Sequence, residues 1–228
     1  MRNKLSILAS VVLMSSAVLF TSCKKDEEPV HEHAKVMVVH TSPDAPGVDV
    51  LVDGTKVNTA ALNFPENTAY LEVEAGTRNL KVNVAGSTTT VINADVPFTK
   101  DMSYSVFAVD SVSQISAIVL ADDLTAPAAG KAHVRFVHLS PDAPAVDVAV
   151  ASDGTVVFGN KAFKEYTAFT PLDAGAYNLD VRVAGTTTVA LVLPTLNLEA
   201  GKIYTVFAKG FLNGTGAQAL GAQVILNN

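Results

Sequence analysis

From Leu80 to Val84 the chain reads Leu-Lys-Val-Asn-Val, and from Leu179 to Val183 it reads Leu-Asp-Val-Arg-Val. Successive side chains of an extended chain point to opposite sides, so apolar residues at every second position share one face. Both segments are therefore expected to be half-buried strands. Each runs into Gly86-Ser87 or Gly185-Thr186 and then a threonine-rich stretch. Glycine at the first central position of a type II′ turn predicts a hairpin at each place. Asp53-Gly54 and Asp153-Gly154 predict two further tight turns, because glycine accepts a positive φ. In the first half, the same reading places strands at 35–40, 48–52, 68–74, 79–85, 88–93, 103–109 and 114–120, with turn residues in the gaps and no helical period. About seven short strands in about 90 residues predict an all-β fold of the sandwich type.

The pattern is written twice. AKVMVVHTSPDAPGVDV, from Ala34, matches AHVRFVHLSPDAPAVDV, from Ala132. NFPENTAYLEVEAGTRNLKVNVAGSTTT, from Asn63, matches AFKEYTAFTPLDAGAYNLDVRVAGTTT, from Ala162, and YSVFAVD, from Tyr104, matches YTVFAKG, from Tyr204. The matches keep their order with shifts of 98 to 100 residues. Solenoid repeats run roughly 20 to 50 residues, so this period points to duplicated domains. They are placed at 34–122 and 132–228, joined by a polar linker at 123–131 that contains Pro and Gly. Glycine turns such as Glu74-Ala75-Gly76 and Glu199-Ala200-Gly201 resemble those leading into strands of immunoglobulin-like and transthyretin-like sandwiches. Tyr104 and Tyr204 are expected to tie a corner through their hydroxyls.

Composition adds a cellular address. Arg2 and Lys4 precede an apolar run from Leu5 to Phe20, and small polar residues lead to Cys23. A basic start, an apolar middle and a small-residue exit describe a secretory signal over residues 1–22. The run is shorter than the roughly 20 apolar residues of a spanning helix. The chain has a single cysteine, so Cys23 has no disulfide partner within it. Phe20-Thr21-Ser22-Cys23 resembles a bacterial lipobox, which implies lipidation of Cys23. Residues 23–33 then form an acidic tether, and Lys24-Lys25-Asp26-Glu27-Glu28 resembles the tag that directs some lipoproteins to the outer face of the outer membrane, the periplasmic face being the alternative. The membrane is thus an expected partner through the N-terminal lipid. The formal net charge of −6, with no basic cluster, argues against nucleic acid.

The duplicated opening carries the candidate chemistry. His40, Ser42, Pro43, Asp44, Pro46 and Asp49 recur as His138, Ser140, Pro141, Asp142, Pro144 and Asp147. Pro43 and Pro141 fix φ for a turn, and Pro46 and Pro144 lack the N–H that would restart a ladder. A strand, a stiff corner and a second strand follow. A Val-rich strand, His-x-Ser-Pro-Asp-Ala-Pro, Val-Asp-Val and a later Asp-Gly closely resemble the opening of the domain of unknown function 4397, found in exported bacterial proteins. That resemblance covers both copies and implies an extracytoplasmic β domain, often in tandem, with no established activity.

The residues themselves leave three readings. His40, Ser42 and Asp44 alternate on a proline-locked corner, which does not make them converge as a catalytic triad must, so no enzyme is expected. Asp44, Asp49, Asp142 and Asp147, with Asp53 and Asp153, offer hard oxygens to calcium, the alternative reading of a calcium-dependent binding module. Against it, aspartates in turns commonly accept backbone N–H groups. His31 and His33, with His40, offer a loose transition-metal chelate. No cofactor is expected. Repeated aromatics, Phe64 with Phe163, Tyr70 with Phe169 and Phe107 with Phe207, read as core, whereas Tyr166 and Tyr177 occur in copy two alone and are the first candidates for a sugar-stacking surface. The leading expectation is a lipid-anchored binding or structural module, with a surface polysaccharide or a protein as ligand.

Overall fold

The computed structural model describes residues 32–228, so the segment expected to be a signal, Cys23, His31 and most of the segment expected to be a tether lie outside the described residues. The first repeat contains β1 (His33–His40), β2 (Val48–Val52), β3 (Thr55–Lys56), β4 (Leu71–Glu74), β5 (Gly76–Val84), β6 (Thr90–Phe98), β7 (Ser103–Val109) and β8 (Ser116–Asp122). The second contains β9 (Lys131–His138), β10 (Val146–Val150), β11 (Val156–Lys161), β12 (Thr170–Asp173), β13 (Gly175–Tyr177), β14 (Leu179–Val183), β15 (Val189–Val192), β16 (Leu196–Leu198), β17 (Ile203–Lys209) and β18 (Gly221–Leu226). In each repeat two four-stranded sheets face one another, β4-β1-β7-β8 over β3-β2-β5-β6 and β12-β9-β17-β18 over β11-β10-β14-β15. The fold is all-β, two tandem sandwiches, as the alternation predicts.

Alternation decides what each core contains. Val36 and Val38 of β1 meet Val48 and Val50 of β2 and Leu80 and Val82 of β5, all buried in the first core. Val134, Phe136, Val146, Val148, Leu179 and Val181 do the same in the second. At roughly 1.5–3 kcal/mol for each fully buried large apolar side chain, these layers supply the main drive for folding. Tyr104 and Tyr204 tie their corners as expected, each hydroxyl accepting an N–H, from Thr99 and Glu199, at 3.1 Å.

Several details differ from the sequence reading: the strand expected at 88–93 runs instead from Thr90 to Phe98, that expected at 114–120 runs from Ser116 to Asp122, and the short β3 was not expected. At the β5–β6 hairpin Ser87 N donates to Val84 O, so Gly86, with φ of 69°, is the second central residue and the turn is not type II′. Gly185, with φ of 71°, follows the same rule, because Thr186 N donates to Val183 O. The strand expected from Thr68 starts instead at Leu71, since the Thr68 hydroxyl is turned inward to accept the Val38 N–H at 3.0 Å.

The two sandwiches are not separate beads. Met37, Val39, Phe107, Val109 and Leu120 of the first repeat form a buried cluster with Val137, Leu139, Phe207 and Ile225 of the second. These residues lie on β1, β7 and β8 and on β9, β17 and β18, with Leu139 just past the end of β9, on the faces that look away from their own cores. Strands β1 and β7 pair in parallel, as do β9 and β17, and each is buried on both faces. Their near-continuous apolar runs, such as Val-Met-Val-Val, are the mark of two-sided burial. The four sheets are therefore stacked in four layers, and the middle two belong to different repeats. Phe107 and Phe207 meet edge to face at this seam, their centroids 6.2 Å apart.

Candidate functional site

The repeated corner begins where β1 ends. His40 is fully buried, and its Nε2 lies 3.0 Å from Pro46 O; His138 repeats the contact with Pro144 O at 3.0 Å. A carbonyl can only accept, so Nε2 carries the hydrogen and donates it. Burial holds both imidazoles below their ordinary pKa, keeping them neutral, and the prolyl carbonyl bonds oppose this only in part. Each histidine thus closes its proline-rich bend like a staple. In the second copy His138 Nδ1 also accepts Ser140 N at 3.3 Å.

The aspartates reach for main chain. Asp44 accepts the N–H of Val112, the first residue of a short 3-10 turn (Val112–Gln114), at 2.7 Å, and Asp142 accepts Leu212 N at 2.7 Å. Asp49 accepts Gly86 N at 3.0 Å and pairs with Lys56 at 2.7 Å. The Lys56 contact and then the Gly86 N–H hold its carboxyl below the usual carboxylate range. Asp147 accepts Asn160 N at 2.6 Å and Gly185 N at 2.8 Å. Each copy therefore uses one aspartate to hold the loop after β7 or β17 and another to hold the β5–β6 or β14–β15 hairpin. Thr155 N bonds Asp153, and Asp53 accepts Asn79 N, so these carboxylates also serve their turns.

The structure does not assemble these residues into one centre. His40, Asp44 and Asp49 face different main-chain partners, and Ser140 Oγ donates to Gly210 O at 2.7 Å. His40 Nδ1 and Ser42 Oγ are buried without a protein partner. Among the described residues no group of three His, Cys, Asp or Glu side chains is placed to hold a metal ion. His33 opens β1, whereas His40 closes it at the buried end. Of the aromatics, Phe64 packs edge-on against His40 and lies under Lys209 Nζ at 5.2 Å, while Tyr166 is half exposed.

Sequence reasoning missed a second constellation, at the seam between repeats. Arg135 Nη1 meets Asp122 Oδ1 at 2.6 Å, with the side chains 2% and 0% exposed. Arg135 Nε donates to Thr205 Oγ1 at 2.8 Å and Nη2 to Ser105 Oγ at 2.9 Å. Ser105 and Tyr70 hydroxyls donate to Asp122 Oδ2, Asn227 Nδ2 donates to Tyr70, and Thr205 donates to Asn227 Oδ1. The Phe169 ring lies 4.6 Å from the guanidinium carbon. Burial first, and the Asp122 charge second, push the Tyr70 hydroxyl well above its ordinary pKa, so it remains a donor. Arg135 stands where copy one has Met37, and Asp122 where copy two has Asn227. A charge interrupting one copy of an otherwise apolar strand was the available signal.

Fold and corner together define a class of duplicated β-sandwich whose signature residues brace the main chain. The family described as "Domain of unknown function (DUF4397)" matches residues 34–149 and again 147–228, and the chain belongs to that family. No curated protein matches the chain.

Proposed function

We propose that the chain is a lipid-anchored protein of the cell envelope, acting as a non-catalytic binding or structural module with its two sandwiches working as one unit. The carrying observation is that the residues written twice, His40, Asp44 and Asp49 with their counterparts, are engaged by prolyl carbonyls and backbone N–H groups. What duplication preserves at this corner is the shape of a scaffold. The basic start, apolar run and Phe20-Thr21-Ser22-Cys23 ending support the anchor, and the charge run after Cys23 supports an outward-facing position on the outer membrane. A surface polysaccharide or protein is the ligand class that such a displayed module would meet.

Metabolic labelling with an alkyne fatty acid tests the anchor. Label on the wild-type chain, lost together with membrane association in Cys23→Ala, is the expected result; an unlabelled chain in the soluble fraction would overturn it. Protease treatment of intact cells tests the orientation: digestion of the sandwiches is expected, and their survival would refute outward display.

A further inference from the structure

Between the Asp-Gly turn and the residue before the corner phenylalanine the two copies differ in length. Copy one has eight residues between Gly54 and Asn63, and copy two has seven between Gly154 and Ala162. In copy two these residues form β11, which pairs with β10 from Val146↔Lys161 to Ala149↔Val156. In copy one the contact with β2 ends at the Val57 N–H bond to Val50 O and resumes only with Leu62, which exchanges two backbone bonds with Val48. The additional residue lets the segment between Val57 and Leu62 leave the sheet.

Asn58 stands in for the missing strand. Its Oδ1 accepts the Val50 N–H at 2.8 Å, and its Nδ2 donates to Val48 O at 3.1 Å and to Ala60 O at 2.7 Å. The edge of β2 is thereby closed while the loop stands clear of it. Thr68 closes the edge of β1 in the same way, its hydroxyl accepting the Val38 N–H and its own N–H donating to Val38 O. Between residues 57–62 and 66–71 a cleft of about 640 Å³ opens, and Gln223 of β18 in the second repeat completes its lining. Ligand sites commonly measure about 300–1,000 Å³.

The lining chemistry selects the ligand. No Lys, Arg or His lines the cleft, so nothing there balances a phosphate, a sulfate or a sugar acid. Glu66 is its one ionisable group, and the Asn63 N–H holds Oε2 at 2.9 Å, which leaves Oε1 to accept. Thr59 and Gln223 each offer a donor and an acceptor, as does every sugar hydroxyl. Leu62 and Leu71 add apolar surface for the C–H faces of sugar rings, and Ala60, Ala61 and Ala69 keep the walls low. A peptide would need a free ladder to extend, and Asn58 and Thr68 have closed the adjoining edges of β2 and β1. The neighbouring edge strand β4 carries Glu72 and Glu74, which guard it against an added strand.

We propose that this cleft binds a short run of uncharged sugar rings, with Thr59, Glu66 and Gln223 meeting the hydroxyls. The ligand class rests on the reading of the chain as a displayed binding module. The site is completed across the seam, because Gln223 comes from the second repeat and every other lining residue from the first. Copy two does not repeat it: β11 stays on its sheet, and Tyr166 stands where copy one has Asn67. Two sandwiches thus make one site, which gives their rigid stacking a use.

The full chain, extracted in mild detergent, can be applied to an array of immobilised neutral and acidic oligosaccharides with neutral linear peptides alongside. Retention on neutral oligosaccharides is the expected result. Ala69→Trp, at an exposed position of the cleft, is expected to abolish it, and Thr59→Ala with Gln223→Ala to weaken it about tenfold through the lost hydrogen bonds. Ala168→Trp, the equivalent exposed position of copy two, is expected to leave it unchanged, and circular dichroism to be unaltered in every variant. Retention on acidic sugars or peptides alone, or on nothing, would overturn the proposal. Neutral-sugar binding indifferent to Ala69→Trp would overturn the cleft while leaving the binding-module reading in place.

Discussion

Replacing Arg135 by Met, the residue at the equivalent position 37, removes one half of a buried ion pair while keeping most of the side-chain volume. Asp122 is 0% exposed and Arg135 2%, so water cannot replace the lost partner without opening the seam. Asp122 retains donors in Tyr70 and Ser105, yet its charge is left uncompensated. Stranding one member of a buried pair costs about 3–5 kcal/mol. At roughly 2–4 °C per kcal/mol for a chain of this size, the melting temperature is expected to fall by about 10 °C. Urea unfolding followed by circular dichroism measures the loss directly. The double variant Arg135→Met/Asp122→Asn removes both charges and leaves Asn, the residue already present at the equivalent position 227. It is expected to recover to within about 1 kcal/mol of wild type, because replacing both members of a buried pair is often nearly neutral. A loss below about 1 kcal/mol for Arg135→Met, or a double variant no better than the single, would refute the reasoning that this pair is coupled and desolvated.

Other consequences concern the corner and the turns. His40 and His138 are held neutral with lowered pKa, so the unfolded state binds more protons below its ordinary histidine pKa. Their contribution is complete above about pH 6.5 and is lost as pH falls through the lowered folded values, by up to about 1.4 kcal/mol per pH unit for each histidine; urea titrations from pH 7.5 to 5 check this, and His40→Gln with His138→Gln is expected to flatten the slope. Asp147→Ala strands the N–H groups of Asn160 and Gly185 and is expected to cost about 1–3 kcal/mol in thermal or urea unfolding. Adding calcium to the wild-type chain is expected to leave the melting temperature unchanged; a calcium-dependent rise abolished by Asp44→Ala and Asp142→Ala would restore the metal reading. Gly210→Ala must fit a Cβ 2.2 Å from Ala219 O at a φ of 80°, whereas Gly86→Ala meets nothing within 4 Å at a φ of 69°. The latter is expected to cost about 1–2 kcal/mol, the left-handed penalty alone, and the former clearly more by the same unfolding measurement.

Much of each sandwich was legible because alternation is local. Val48 and Val50, or Leu80 and Val82, announce one buried face within five residues, and the repeated Asp-Gly turns, with Gly86-Ser87 and Gly185-Thr186, divide the strands. The type of the Gly86 turn was not legible, because the same residue can serve at either central position and only the Val84–Ser87 bond decides. At the corner, stiffness could be read from Pro43 and Pro46, whereas the partners could not. Val112 and Leu212, which hold Asp44 and Asp142, lie about 70 residues further on, and their backbone N–H groups carry no sequence signature. The seam was hidden for a related reason. Continuous apolar runs in β1 and β7 show that both faces are buried but do not say against what. Arg135 in the place of Met37 was the clue that one of those faces meets polar chemistry from the other copy. The unbroken β6 has no unbroken counterpart in copy two, where a one-residue insertion near Pro194 is visible on alignment but has no meaning until β15 and β16 are seen to separate.

The central claim is that the two copies fold into one stacked body held by the seam, with the repeated corner serving its shape. Replacing part of the 123–130 segment by a specific protease site, cutting it, and measuring the mass in solution under native conditions addresses this most directly. Both halves remaining together as a single species that separates only on unfolding, or on weakening the seam by Arg135→Met, is the predicted result. Halves that part on cutting alone, each still folded, would contradict it.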